Sequence, residues 1–202
     1  HSIPTNIVTP NLMEFMLLDL FEQASAKAHY DFDSLMIPFR CVAADIVEKK
    51  EVVFKNGSLS LALRASTTYP FYYKPVIIDS TMLFDGGLYN NFPADIMYHD
   101  FMPDVIIGSN VANQIEPPRE DDILSMVRNM ITAQQDFTLL CEEGIIIEPK
   151  SNTGVFDFSN IDAEILQGYK ATIDSIARIK EMVHNRERTR SELHDMRSNF
   201  RD

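Results

Sequence analysis

No apolar run in this 202-residue chain reaches the roughly 18–20 residues that a transmembrane helix needs. The nearest candidate, Leu12 to Phe21, is broken by Glu14 and Asp19. It also lacks the basic flank and small-residue cleavage site of a secretory signal. Positive charge is scarce: 18 Lys and Arg stand against 30 Asp and Glu, a formal charge of -12. Phosphate recognition needs clustered positive charge, so nucleic acid is not an expected partner, and electrostatic attachment to anionic lipid is disfavoured for the same reason. A neutral acyl ester, or a lipid reached by apolar contact, is compatible with this composition. Cys41 and Cys141 are the only cysteines, too few for a disulfide framework, and they read as buried or partly buried thiols. The five histidines (His1, His29, His99, His184, His194) form no close pair and neither cysteine has a partner at ligand spacing, so neither metal nor cofactor is expected.

Glycine is sparse too, with seven residues in all. Gly57, Gly108 and Gly154 are isolated, and Gly86-Gly87 follows an acid instead of leading to Lys-Ser/Thr, so a mononucleotide phosphate loop is absent. No G-x-S-x-G nucleophile elbow occurs; Gly57-Ser58-Leu59-Ser60 lacks the second glycine, and its serines read as a turn and helix cap. The first residue is His instead of Met, as expected of a chain processed, tagged or cut from something longer.

What is present is an ordinary globular composition, 45% hydrophobic and 24% charged, sufficient for one domain over residues 1–202. Thr9 as a hydroxyl cap and Pro10 at the first helical position predict a helix start, with the helix running to about Ala28 and apolar around most of its circumference, as a buried helix would be. Ile37 to Ile46 reads as a buried strand and Val52-Val53-Phe54 as its short return. Asn56-Gly57-Ser58 predicts a turn and cap for a helix over Leu59 to Ala65. Val76-Ile77-Ile78 and Met82-Leu83-Phe84 predict a hairpin whose second strand ends in Asp85-Gly86-Gly87. Asn91 is expected to cap a helix with Pro93 at its second position, ending near Asp100. A buried strand over Asp104 to Gly108, a helix over 121–140 and a strand over Gly144 to Glu148 follow. A helical segment over 160–202 carries Ile161, Ile165, Tyr169, Ile173 and Ile176 at helical spacing, then a charged end (Arg186, Glu187, Arg188, Arg190) that keeps a stripe of Leu193, Met196 and Phe200. Short buried strands alternating with helices predict an α/β layer fold with a mostly parallel sheet.

An aspartate at the carboxyl end of a strand, followed by two glycines, can present its carboxylate at the sheet rim. Glycines permit backbone angles closed to other residues and close approach of a neighbouring group. Taken alone such a D-G-G is more often a tight turn. Its surroundings say more. From Ile37 the chain reads IPFRCVAADIVEKKEVVFKNGSLSLALRASTTYPFYYKPVIIDSTMLFDGGLYNNFPADI. Four blocks in order resemble the patatin-like phospholipase family: the strand ending Ala-Asp-Ile, the G-S-L-x-x-A-L-R-A-S helix with its later Pro70, the Pro-Val pair before a hairpin, and D-G-G-L-x-x-N-x-P. Asp104 to Gly108 resembles the family's next strand.

The resemblance implies a three-layer α/β sandwich, incomplete on its N-terminal side, in a protein that hydrolyses acyl esters of lipids with a Ser-Asp dyad and no catalytic histidine. It implies that Asp85 is the dyad aspartate, that Gly86, Gly87, Asn90 and Pro93 are scaffold, and that Ser66, Pro70 and Phe71 belong to the substrate pocket. The sequence departs from the family in lacking the nucleophile elbow and its glycine-rich oxyanion loop, so it is expected to be the inactive C-terminal part of a hydrolase domain. Thr67-Thr68-Tyr69 and Phe71-Tyr72-Tyr73 flank Pro70 with bulkier side chains than the family's, which reshapes the expected acyl pocket. The alternative is a non-catalytic binding or assembly module retaining the half-fold. Strands that lack the N-terminal portion would expose apolar faces and open edges, so self-association, domain swapping or contact with the missing portion is expected.

Overall fold

The computed structural model describes residues 7–112, 118, 120–150, 153, 157–184 and 188–201. His1, Gly154, Arg186 and Glu187, named above, lie outside them. The chain forms two compact units: His1–Asn91 with Pro117–Asp136 and Thr189–Asp202, and Phe92–Glu116 with Phe137–Arg188.

The first unit is built around β1 (Cys41–Asp45), in which all five residues are buried. β1 lies inside a four-stranded sheet with β2 (Lys50–Phe54), β3 (Val76–Ile78) and β4 (Thr81–Asp85), in the order β2-β1-β4-β3. The α/β class with open sheets is as expected, but every pairing in this sheet is antiparallel instead of mostly parallel. Short connections explain two of the three pairings. β1 and β2 are joined by only 46–49, and β3 and β4 by Asp79 and Ser80, both at positive φ (48° and 67°) in a two-residue hairpin. Parallel neighbours would need a crossover of a dozen residues or more.

α2 (Leu59–Ser66) starts at Ser58, whose hydroxyl accepts the Leu61 N–H at 3.3 Å, as the sequence predicts. It lays Leu59, Ala62 and Ala65 on the sheet, completing one core with Phe32 and Cys41 and another with Ala43 and Leu83. α1 (Asn11–Lys27) packs on α2, held by the Glu22 carboxylate, which accepts from Ser60 at 2.9 Å and Ser58 at 3.2 Å. Two expectations for α1 are corrected. Pro10 is the N-cap and supplies no side-chain hydrogen bond. The helix is not buried all round, since Leu12, Phe15, Met16, Leu18 and Leu20 are exposed and only Ser25 is fully covered.

α4, numbered in chain order, spans Ile123–Ile131 and stops well short of 140. The residues after it leave the helix to bond the segment that follows β4. α6 (Arg190–Arg201) is capped reciprocally: Thr189 Oγ1 accepts the Glu192 N–H, and the Glu192 carboxylate accepts the Thr189 N–H. On it Leu193 is exposed, whereas Met196 and Phe200 are partly covered.

The second unit holds α3 (Ala94–Phe101), a two-stranded parallel sheet of β5 (Val105–Ser109) and β6 (Glu143–Ile147), and α5 (Ile161–Val183). The α3 N-cap is Pro93, not Asn91, and the helix ends at Met102 in the left-handed conformation. α5 packs on β6, and its predicted stripe exists as a helix face, but Ile161, Ile165, Tyr169 and Ile173 are exposed.

Candidate active site

Asp85 is the last residue of β4, an interior strand, where it pairs with Ala43 of β1. β3 pairs with β4 only as far as Leu83, so Phe84 and Asp85 run past it. The Asp85 N–H therefore has no strand partner on that side and donates instead to the Thr68 carbonyl at 2.9 Å. Its carboxylate Oδ1 accepts the Gly87 N–H at 2.9 Å. Burial pushes the Asp85 carboxyl above the ordinary carboxylate value, and the Gly87 N–H offsets part of that rise. Among the described residues no serine hydroxyl donates to Asp85, and Oδ2 is left without a donor.

Cys41 and Ser66 share this neighbourhood. Burial raises the Cys41 thiol, a hydrogen bond with Ser66 works against that, and the Asp85 charge adds to it. The thiol points at the Ala62 carbonyl, 3.4 Å away, and is a core group.

The two glycines are required for space, not for backbone angle. Among the described residues, Gly57 is the glycine with positive φ, at 100°. A Cβ on Gly86 would lie 2.3 Å from the Val42 carbonyl oxygen of β1, and one on Gly87 would lie 2.6 Å from Asn91 Oδ1 and 3.1 Å from Asp85 Oδ1. Close approach is thus the operative reason at both positions, and the expectation of unusual backbone angles is corrected. Gly86–Leu88 forms a single 3-10 turn, closed by the Tyr89 N–H on the Gly86 carbonyl at 3.0 Å, which also accepts the Asn90 N–H at 2.9 Å. The Asn90 side chain donates to Glu51 of β2 at 2.8 Å, tying the turn to the sheet edge.

Sequence reasoning missed the outer support of this turn. Ala133 donates to the Leu88 carbonyl at 2.7 Å; Gln135 donates to the Gly87 carbonyl at 3.3 Å and accepts the Asn91 N–H at 2.8 Å. Both residues fall inside the stretch predicted as helix, and these tertiary bonds are what end α4 early. No local pattern signals them.

The other predicted residues are placed as follows. Ser66 closes α2 beside Cys41. Pro70 is buried, and its neighbours Tyr69, Tyr72 and Tyr73 pack edge-on against one another. Phe71, at φ 68°, is 42% exposed, its carbonyl accepting the Ile7 N–H at 3.2 Å. Pro93 lies in the second unit at the start of α3. Among the described residues no group of three or more His, Cys, Asp and Glu could hold a metal ion, and no helix is long and apolar enough to cross a membrane.

Residues 23–98, which contain β1 to β4, α2 and the Asp85 turn, match the model of the patatin-like phospholipase family. Through this segment the chain is similar to the patatin-like phospholipase family. Curated relatives extend the match. An uncharacterized NTE family protein of Mycobacterium tuberculosis is 26% identical over 162 residues, covering 66% of this chain and 28% of its own length. A second M. tuberculosis NTE family protein is 38% identical over 61 residues, 30% of this chain and 17% of that protein. A patatin-like phospholipase domain-containing protein of Caenorhabditis elegans is 34% identical over 85 residues, 41% of this chain and 6% of that protein. The chain thus spans little more than a quarter of the length of the longest-matching of these relatives, at 28%.

Proposed function

We propose that this patatin-like chain is the C-terminal part of a lipid acyl hydrolase domain and supplies the aspartate of its Ser-Asp dyad. Asp85 carries the reading: a carboxylate at the end of an interior strand, one oxygen held by the Gly87 N–H and the other unbonded. In the proposed reaction a serine hydroxyl donates to Oδ2. As its oxygen attacks the acyl carbonyl, the proton passes to Asp85 and then to the leaving alcohol, giving an acyl-serine. Water then repeats the sequence and releases the fatty acid. An ordinary aspartate is a weak base at neutral pH; the burial that raises Asp85 makes it a better one. Gly86, Gly87 and Asn90 fix the turn, and Pro93 starts the next helix. Ser66, Pro70 and Phe71 are proposed to shape the acyl pocket, and a lipid or other acyl ester is the substrate.

The serine and the oxyanion donors are assigned to a segment with G-x-S-x-G that this sequence does not contain. The 202-residue chain alone is therefore expected to give neither fluorophosphonate labelling nor ester turnover. A longer protein that includes such an elbow is expected to give both. Serine labelling with turnover by the isolated chain overturns this reading.

The competing reading, a binding or assembly module, draws on the absence of a serine donor at Asp85 among the described residues. A reading frame with at least about a hundred residues and a G-x-S-x-G upstream decides for the hydrolase; translation starting near His1 decides for the module. The exposed Leu12, Phe15, Met16 and Leu20 of α1 support self-association of the isolated chain. Light scattering is expected to show species larger than a monomer, and a clean monomer at high concentration counts against it.

A further inference from the structure

Arg64 stands in the last turn of α2 and is only 3% exposed. A guanidinium that deep is costly unless its N–H groups are matched. Its Nε donates to Glu14 of α1 at 3.1 Å, one terminal nitrogen donates to Thr68 Oγ1, and the other donates to the Lys74 carbonyl at 3.3 Å. The Tyr73 ring covers it, 5.2 Å from Cζ to the centroid. Lysine could hold the charge here but could not reach three acceptors in one plane.

Thr68 is what these contacts hold. It is completely buried, and its hydroxyl is used in both directions: it accepts from Arg64 and donates to the Arg64 carbonyl at 2.7 Å. A residue pinned through both roles of its hydroxyl cannot turn its peptide freely. The carbonyl of that residue is the acceptor of the Asp85 N–H, at the point where β4 has outrun β3. Thr68 thus takes the place of the missing strand partner for one residue only, and that residue is Asp85.

We propose that Glu14, Arg64 and Thr68 form a clamp that positions Asp85, fixing its backbone so that Oδ1 meets the Gly87 N–H and Oδ2 is left for the serine. The proposal rests on Asp85 being the dyad base. Arg64 and Thr68 are positioning residues, touching neither substrate nor reacting atoms. Release of the clamp loosens the Oδ1 bond. That bond lowers the Asp85 pKa against the effect of burial, so its loss moves the acid limb of the rate profile to higher pH.

The test uses the longer protein that includes the G-x-S-x-G segment, assayed with a short-chain acyl ester. Asp85→Asn comes first, and retained turnover there sinks the dyad reading itself. With Asp85→Asn inactive, Arg64→Lys and Thr68→Val are expected to lower kcat about tenfold or more at nearly unchanged KM. Their acid limb moves up in pH, and Thr68→Ser, which keeps the hydroxyl, restores most of the loss. Should the buried variants fail to fold, Glu14→Ala acts at the half-exposed end of the clamp (46% side-chain exposure) and is expected to shift kcat and the acid limb in the same directions. Folded variants with lower Tm but unchanged kcat and an unmoved acid limb would show a purely structural role and overturn the clamp, leaving the dyad intact.

Discussion

Gly86→Ala is expected to cost this chain much of its stability, by about 3 kcal/mol, at the upper end of what overpacking does in a closed core. The methyl would sit 2.3 Å from the Val42 carbonyl oxygen and 2.7 Å from its carbon. Both are main-chain atoms of β1, whose five residues are all buried and which is paired on both edges. β1 cannot retreat without breaking a ladder with β2 or with β4. The matching fall in Tm is roughly 6–12 °C for a chain of this size. Two other glycines calibrate it. Gly87→Ala meets Asn91 Oδ1 at 2.6 Å, the end of a side chain that can swing away, so it costs less. Gly168→Ala lies inside α5 with nothing within 4 Å and is expected to stabilise slightly, by about 0.5–1 kcal/mol. Thermal melts of the three variants check the order, and a Gly86→Ala melt within about 2 °C of the parent chain refutes the packing argument.

Asp85→Asn is expected to separate function from stability. Asn keeps an oxygen for the Gly87 N–H but offers an amide where the proposed dyad sends the serine proton, so turnover in the longer protein is expected to fall by roughly 10³-fold or more. Stability moves the other way. Burial raises the folded-state pKa of Asp85 above its unfolded value of 3.8, so the folded chain holds a proton that the unfolded chain has already released. Stability accordingly declines as pH rises from the unfolded to the folded pKa, and the penalty persists at neutral pH. Asn never carries that charge. The Asp85→Asn chain is expected to melt higher than the parent at pH 7, with the difference closing as the pH falls into and below the ordinary carboxylate range. A lower melting temperature at pH 7 contradicts this. Such a trade, a buried charge kept at some cost in stability, is common where a site needs a tuned group.

Much of the first unit was legible because its signals are local. Cys41 to Ala44 is a continuous apolar run, Ser58 is a capping residue, and two apolar stretches around Asp79 and Ser80 mark a hairpin. Asp85 stood out through its position at the end of that hairpin. What was not legible is decided across long sequence separations. Strand direction follows from which strands become neighbours: short connections make β1/β2 and β3/β4 antiparallel, and the β1/β4 pairing is set by residues far apart in sequence. α1 reads as a core helix from composition alone, yet its covered face is set by α2 and the other is open. Gln135, Thr68 and Arg64 act through bonds to residues that no spacing rule links to them. The Thr189 and Glu192 capping box is a different case: a T-x-x-E pattern stands in the sequence, obscured by the charged run around it.

The most direct measurement is acyl-ester turnover by the longer, elbow-containing protein and its Asp85→Asn and Asp85→Glu variants, each confirmed folded by its melt. If Asp85 is the dyad base, Asn leaves about a thousandth of the rate or less. Glu, with the same chemistry on a longer arm, retains more than Asn. Asn turnover within a few-fold of the unmodified protein would contradict the assignment of Asp85 and, with it, the proposed hydrolase mechanism.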